Sequence, residues 1–126
     1  DLAHENDIKV FMHSCGQITA IMPSLIEAGV DLFQFDQPDL HGIDTLANYQ
    51  AQDHVSFWCP VDIQTTLQAR DETLIREKVR EMVDKLWRRN GGGFIAGYYS
   101  DNASIGLDPK WQAIASEEFL QQATRK

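Results

Sequence analysis

Apolar and polar positions along this chain fall into two alternating patterns. Short apolar runs at 8–12, 30–35, 55–61 and 94–98 have the length and the aromatic and β-branched content of buried strands. After each run, apolar residues recur on a helical period. Ile18, Ile21, Met22, Leu25 and Ile26 predict a helix within 17–28, with Pro23 at its start and Gly29 at its stop. Leu46, Ala47 and Tyr49 mark a weaker helix over 45–52. Leu74, Ile75, Val79, Met82, Val83, Leu86 and Trp87 form the apolar stripe of the longest helix, which Asp71 or Thr73 can cap. Trp111, Ile114, Ala115, Phe119 and Leu120 predict a last helix over 109–123.

Four strand-helix units in succession imply parallel pairing, because a helix between two strands returns the chain to the same end of the sheet. Two α/β architectures satisfy this order: a small open sheet, or half of a (β/α)8 TIM barrel. A complete barrel takes roughly 250 residues, and this chain has 126. Gly91-Gly92-Gly93 precedes a strand, whereas a phosphate cradle follows one and opens a helix, so the glycine run is read as a turn.

In both architectures ligands bind at the C-terminal ends of the strands. Those ends carry His13-Ser14-Cys15-Gly16, Asp36-Gln37, Cys59-Pro60-Val61-Asp62 and Tyr98-Tyr99-Ser100-Asp101-Asn102. Residues two apart on a strand project to one side, so His13 and Cys15 point together into the space above the first strand. Imidazole and thiolate are zinc ligands, and the same pair can serve as a base beside a nucleophile. Plainer readings stand beside these. Cys15 can be a small packed thiol, Asp36 and Asp62 can cap turns, and Cys59 can point into the core. His4, His41 and His54 fall in helix ends or loops.

Charge and composition narrow the partners. The net charge of −8, with eleven Lys and Arg that gather into no stripe, argues against a nucleic-acid backbone. No apolar stretch approaches the roughly 20 residues of a membrane span, and residues 1–5 lack the pattern of a signal peptide. Two cysteines make no disulfide framework, which suits a reducing cytoplasm. The acidic-basic face of the longest helix, Arg76 to Lys85, is read as solvated i,i+4 pairs.

The blocks Lys9-Val10-Phe11-Met12-His13-Ser14-Cys15-Gly16 and Leu25-Ile26-Glu27-Ala28-Gly29-Val30-Asp31, then Gln37-Pro38, Gly42-Ile43-Asp44, Val61-Asp62, Gly91-Gly92-Gly93-Phe94-Ile95 and Asp108-Pro109, resemble the uroporphyrinogen decarboxylase superfamily. That superfamily includes the cobamide-dependent methyltransferases. The order and spacing resemble the C-terminal half of the barrel, strands five to eight, over residues 1–126. The resemblance thus implies that the N-terminal half precedes Asp1, in keeping with the missing initiator Met.

The resemblance also implies a chemistry. His13 and Cys15 match the first two zinc ligands of the methyltransferase branch, in which a thiol held on zinc accepts a methyl group from a cobamide carried by a partner protein. The branch takes its third ligand, a cysteine, from the last strand end, where this chain has Tyr98-Tyr99-Ser100-Asp101. Cys59, Asp36 and Asp101 remain as substitutes. Asp36, Asp62, Asp101 and Asn102 are the expected catalytic group, Asn102 standing near where the decarboxylases place a histidine. The alternatives are decarboxylation of a tetrapyrrole's acetate side chains, or binding of a corrinoid or tetrapyrrole without catalysis. Half a barrel leaves two sheet edges unpaired. The isolated chain is therefore expected to need the N-terminal half-barrel, or to self-associate, and to be inactive alone.

Overall fold

A computed structural model describes residues 2–88 and 91–125. After a short helix α1 (Leu2–Glu5), four strands alternate with four longer helices: β1 (Phe11–Ser14), α2 (Met22–Ala28), β2 (Leu32–Phe35), α3 (Ile43–Asp53), β3 (Ser56–Cys59), α4 (Glu72–Leu86), β4 (Phe94–Ala96) and α5 (Pro109–Arg125). The strands lie in the order β1-β2-β3-β4 and every neighbouring pair is parallel. A doubly wound sheet would reverse its order partway and carry helices on both faces. The sequential order selects the other expected architecture, half of a (β/α)8 barrel.

The helices cover one face only. Phe33, Phe35, Phe57 and Cys59 are fully buried there, in one cluster with Leu46 of α3 and Ile75, Val79, Met82 and Leu86 of α4. The three phenylalanines pack with ring centroids 5.7 to 6.2 Å apart. The alternate residues point the other way: Phe11 and Ile95 are about half exposed, and Phe11 reaches across β2 to stack on Trp58 at 5.6 Å. Near-continuous apolar runs are usual for parallel strands covered on both faces, but these strands are open on one.

The ladders are shorter than the apolar runs that announced them. Val55, Val61 and Ile63 are buried, but they flank β3 rather than extend it. Pro60 has no amide to donate, and the ladder stops there. Asp71 caps α4, its carboxylate accepting from the Leu74 amide at 3.2 Å. α4 and α5 are joined by Glu118, buried to 1 %, which accepts from Arg80 Nε at 2.6 Å, Arg76 Nη1 at 3.1 Å and Gln122 at 3.1 Å.

Gln50 closes the far end of the sheet and gave no signal in the sequence. Its amide nitrogen donates to the carbonyls of Leu86 at 2.6 Å and Gly93 at 2.8 Å, tying α3 to the end of α4 and the start of β4. Gly93 has φ +86°, and a Cβ there would sit 2.5 Å from the Gln50 amide, so the glycine run serves this close approach. Among the described residues no helix is long and apolar enough to cross a membrane.

Candidate metal centre at the strand ends

His13 is the third residue of β1, and Gln34 stands directly beside it on β2. The pleat sends both side chains to the uncovered face, together with Cys15 and Asp36 two residues further along each chain. His13 Nδ1 is hydrogen-bonded to Gln34 Oε1. Gln34 Nε2 donates to Asp36 Oδ1 at 2.8 Å, and His13 Nε2 lies 3.4 Å from Cys15 Sγ. A continuous path thus runs Cys15, His13, Gln34, Asp36 across two strand ends. One candidate ligand atom from each of His13, Cys15 and Asp36 lies within 4.8 Å of the other two.

The donor set suits a borderline-soft, four-coordinate cation. With Zn–N of about 2.0–2.1 Å and Zn–S of about 2.3 Å at a tetrahedral angle, nitrogen and sulfur come about 3.6 Å apart. The observed 3.4 Å between His13 Nε2 and Cys15 Sγ matches this spacing within the freedom of a side-chain torsion. Nδ1 is engaged by Gln34, which leaves Nε2 as the ligating nitrogen. Asp36 supplies a half-buried oxygen, and Cys15 is exposed, so an incoming group has access.

The remaining expected residues lie outside this group. Cys59 is on the helix-facing side of β3, buried at 0 % exposure, and burial pushes its thiol up to about 12. It is a core side chain on the opposite face of the sheet from His13 and Cys15. Asp62 is also fully buried, with every acceptor turned to backbone: Oδ1 takes the amides of Gln64 and Thr65, both at 2.9 Å, and Oδ2 that of Asp39 at 3.1 Å. Asp101 is exposed and accepts from the Ser104 amide at 3.2 Å. Asn102 is buried, its side-chain Nδ2 3.5 Å from the Tyr98 hydroxyl and its backbone carbonyl accepting from the Leu107 amide at 2.9 Å.

These residues shape the rim. Asp39 accepts from Thr65 and Thr66 hydroxyls at 3.0 and 2.8 Å, so the loops after β2 and β3 are stitched through Asp39 and Asp62. His41, in a loop where a histidine is ordinarily solvated, is buried and stacks on Phe35 at 4.2 Å. Its Nε2 accepts from the Ile18 amide at 3.2 Å, anchoring the loop that follows Cys15. Burial lowers its pKa, with the Gln37 carbonyl opposing, so the ring stays neutral and able to accept. A groove of about 760 Å³ near the start of α3 is lined by Asp39, Thr45, Thr65, Lys78 and Glu81, with Lys78 between Asp39 at 3.5 Å and Glu81 at 3.2 Å. Asp39 and Glu81 are thus both paired within the groove.

Two residues were missed from the sequence. Gln34 looks like a polar interruption in an apolar strand, and only its register opposite His13 gives it meaning. His41 sits in an apparently solvated loop, and no local pattern signals its stacking.

Fold and site together define a class: an α/β half-barrel with a histidine, a cysteine and a carboxylate converging at neighbouring strand ends. Compared with protein-family models, with curated proteins and with solved structures, the chain gives no significant match to any.

Proposed function

We propose that this chain is the C-terminal half-barrel of a zinc-dependent, cobamide-linked methyltransferase of the uroporphyrinogen decarboxylase superfamily. The observation that carries the reading is the convergence of His13, Cys15 and Asp36 within 4.8 Å at the ends of β1 and β2. Asp36 takes the place of the third cysteine that the family draws from the last strand. Zinc in this site would stabilise a bound thiol as the thiolate, the form that accepts a methyl group. His13 and Cys15 would hold the metal, with Gln34 hydrogen-bonded to His13, and the exposed Cys15 would face the side from which a corrinoid-carrying partner protein approaches. Asp62 and Asn102 contribute as scaffold for the rim.

Tetrapyrrole decarboxylation, the alternative within the superfamily, needs cationic side chains to hold several carboxylates. Arg70, the basic residue nearest the strand ends in the sequence, donates to the Gly106 carbonyl at 3.2 Å, which favours the methyltransferase reading. The free thiols of Cys15 and Cys59 fit a reducing compartment such as the cytoplasm. The open edges of β1 and β4 and the uncovered Phe11 and Ile95 support a need for a second half-barrel, either the N-terminal half or another copy.

Metal analysis tests the reading. The protein should carry near-stoichiometric zinc, and Cys15→Ser should lose it. A zinc-free protein that takes up none on titration overturns the proposal, and turnover of uroporphyrinogen would replace it with the decarboxylase alternative.

A further inference from the structure

The path of hydrogen bonds across the strand ends assigns a role to Gln34 that neither its residue type nor its position in the sequence suggests. A side-chain amide has one accepting end and one donating end. At neutral pH a carboxylate offers acceptors only. Asp36 Oδ1, 2.8 Å away, therefore draws the amide nitrogen of Gln34 to itself and turns the carbonyl oxygen toward β1. That oxygen accepts and cannot donate, so the hydrogen between it and His13 Nδ1 belongs to the histidine. A neutral imidazole with Nδ1–H has a bare Nε2, and Nε2 is the atom 3.4 Å from Cys15 Sγ. We propose that Gln34 is a positioning residue that sets the tautomer of His13, relaying its hydrogen bond with Asp36, just past the end of β2, into a lone pair aimed at Cys15, just past the end of β1. The inference rests on the proposed metal site for its functional meaning, but the tautomer is a property of the metal-free protein.

The geometry restricts which side chains can do this. Methionine at 34 matches glutamine in length and offers His13 no comparable acceptor. Glutamate keeps the acceptor toward His13 and loses the donor toward Asp36, so it should preserve the tautomer. Asparagine is one methylene shorter and cannot span from Asp36 to His13 while staying in register.

The test reads the tautomer first. Long-range 15N–1H correlation spectra of the metal-free chain, taken near pH 8 where an ordinary imidazole is neutral, separate the ring nitrogens of its four histidines. His13→Asn assigns the His13 signals by their disappearance. Wild type and Gln34→Glu should show Nδ1–H with bare Nε2, and Gln34→Met should lose that preference. A wild-type His13 protonated at Nε2, or an unchanged tautomer in Gln34→Met, overturns the inference. Competition titration with a chromophoric chelator adds a second readout. Outer-shell partners are commonly worth about 10- to 100-fold in metal affinity, so Gln34→Met should bind zinc weaker by that factor and Gln34→Glu should recover most of it. Equal zinc affinity of wild type and Gln34→Met also overturns the positioning role. If the wild type binds no zinc, the metal reading fails by itself, and the tautomer spectra still decide the role of Gln34.

Discussion

Glu118→Gln removes the charge at the junction of α4 and α5 while keeping the side-chain shape. The carboxylate is exposed by only 1 % and accepts from Arg80, Arg76 and Gln122. Stripping one partner from a fully buried ion pair costs about 3–5 kcal/mol, mostly because the other charge is stranded. Here neither guanidinium is stranded. Arg80 is half exposed, and Arg76 keeps Glu117 at 2.8 Å and Glu72 at 3.0 Å. The loss should therefore approach the worth of a hydrogen bond to a charged group, about 2 kcal/mol. For a domain of this size that corresponds to a fall in Tm of roughly 8 °C. The pH dependence carries the sharper check. Burial raises the Glu118 pKa, but the donors Arg80, Gln122 and Arg76 outweigh it, and the net shift is downward. A depressed carboxylate stabilises the fold above its unfolded value, near 4.5, and the contribution drains away as pH falls toward the folded value. Urea unfolding at fixed protein concentration should thus show a constant gap between wild type and variant from neutral pH to about 5. The gap should narrow below 4.5. No gap at neutral pH, or one that persists undiminished into acid, would refute the reasoning.

Three further outcomes follow from the packing. Gly97→Ala would bring a Cβ to 2.6 Å from the Pro60 nitrogen and 2.8 Å from the Cys59 carbonyl carbon, both backbone atoms. It should cost about 1–3 kcal/mol in chemical denaturation, and a neutral result would mean that β3 and β4 are not so close. A thiol titration of the metal-free protein should find one reactive cysteine in the native state, Cys15, and a second, Cys59, only after unfolding. Rapid modification of both in the native state would contradict the placement of Cys59. His41, with its pKa lowered by burial, makes the unfolded chain the better proton acceptor. Its effect on stability should be flat above pH 6.5, fall as the pH drops from there to the folded pKa, and level off below it. His41→Gln should flatten that part of the stability curve, and an unchanged slope would place the titration elsewhere.

How much of this was legible beforehand differs between fold and site. The four apolar runs and the helical periods between them mark alternating strands and helices without any tertiary information, because burial of one stripe per element is already written as a period. Element bounds were less legible. The run at 55–61 continues through Pro60 and Val61, which are buried but outside the ladder, since burial and backbone pairing are separate constraints. Asp71 as the cap of α4 was readable because its partner is three residues away. Gln50, whose partners are 36 and 43 residues away, was not.

For the site, the sequence by itself determined that His13 and Cys15 project together, because a strand's side chains repeat every two residues. It also determined that Asp36, Asp62, Cys59, Asp101 and Asn102 lie at strand ends or in the loops beyond. Which of them meet was decided by the sheet. Parallel register sets Gln34 beside His13 and carries Asp36 alongside Cys15, while the pleat turns Cys59 to the helix side. Asp62 lies at the same end of the sheet, but nearby backbone amides occupy its oxygens. Convergence depends on register, facing and prior hydrogen bonding between segments tens of residues apart, and no local pattern encodes those three things.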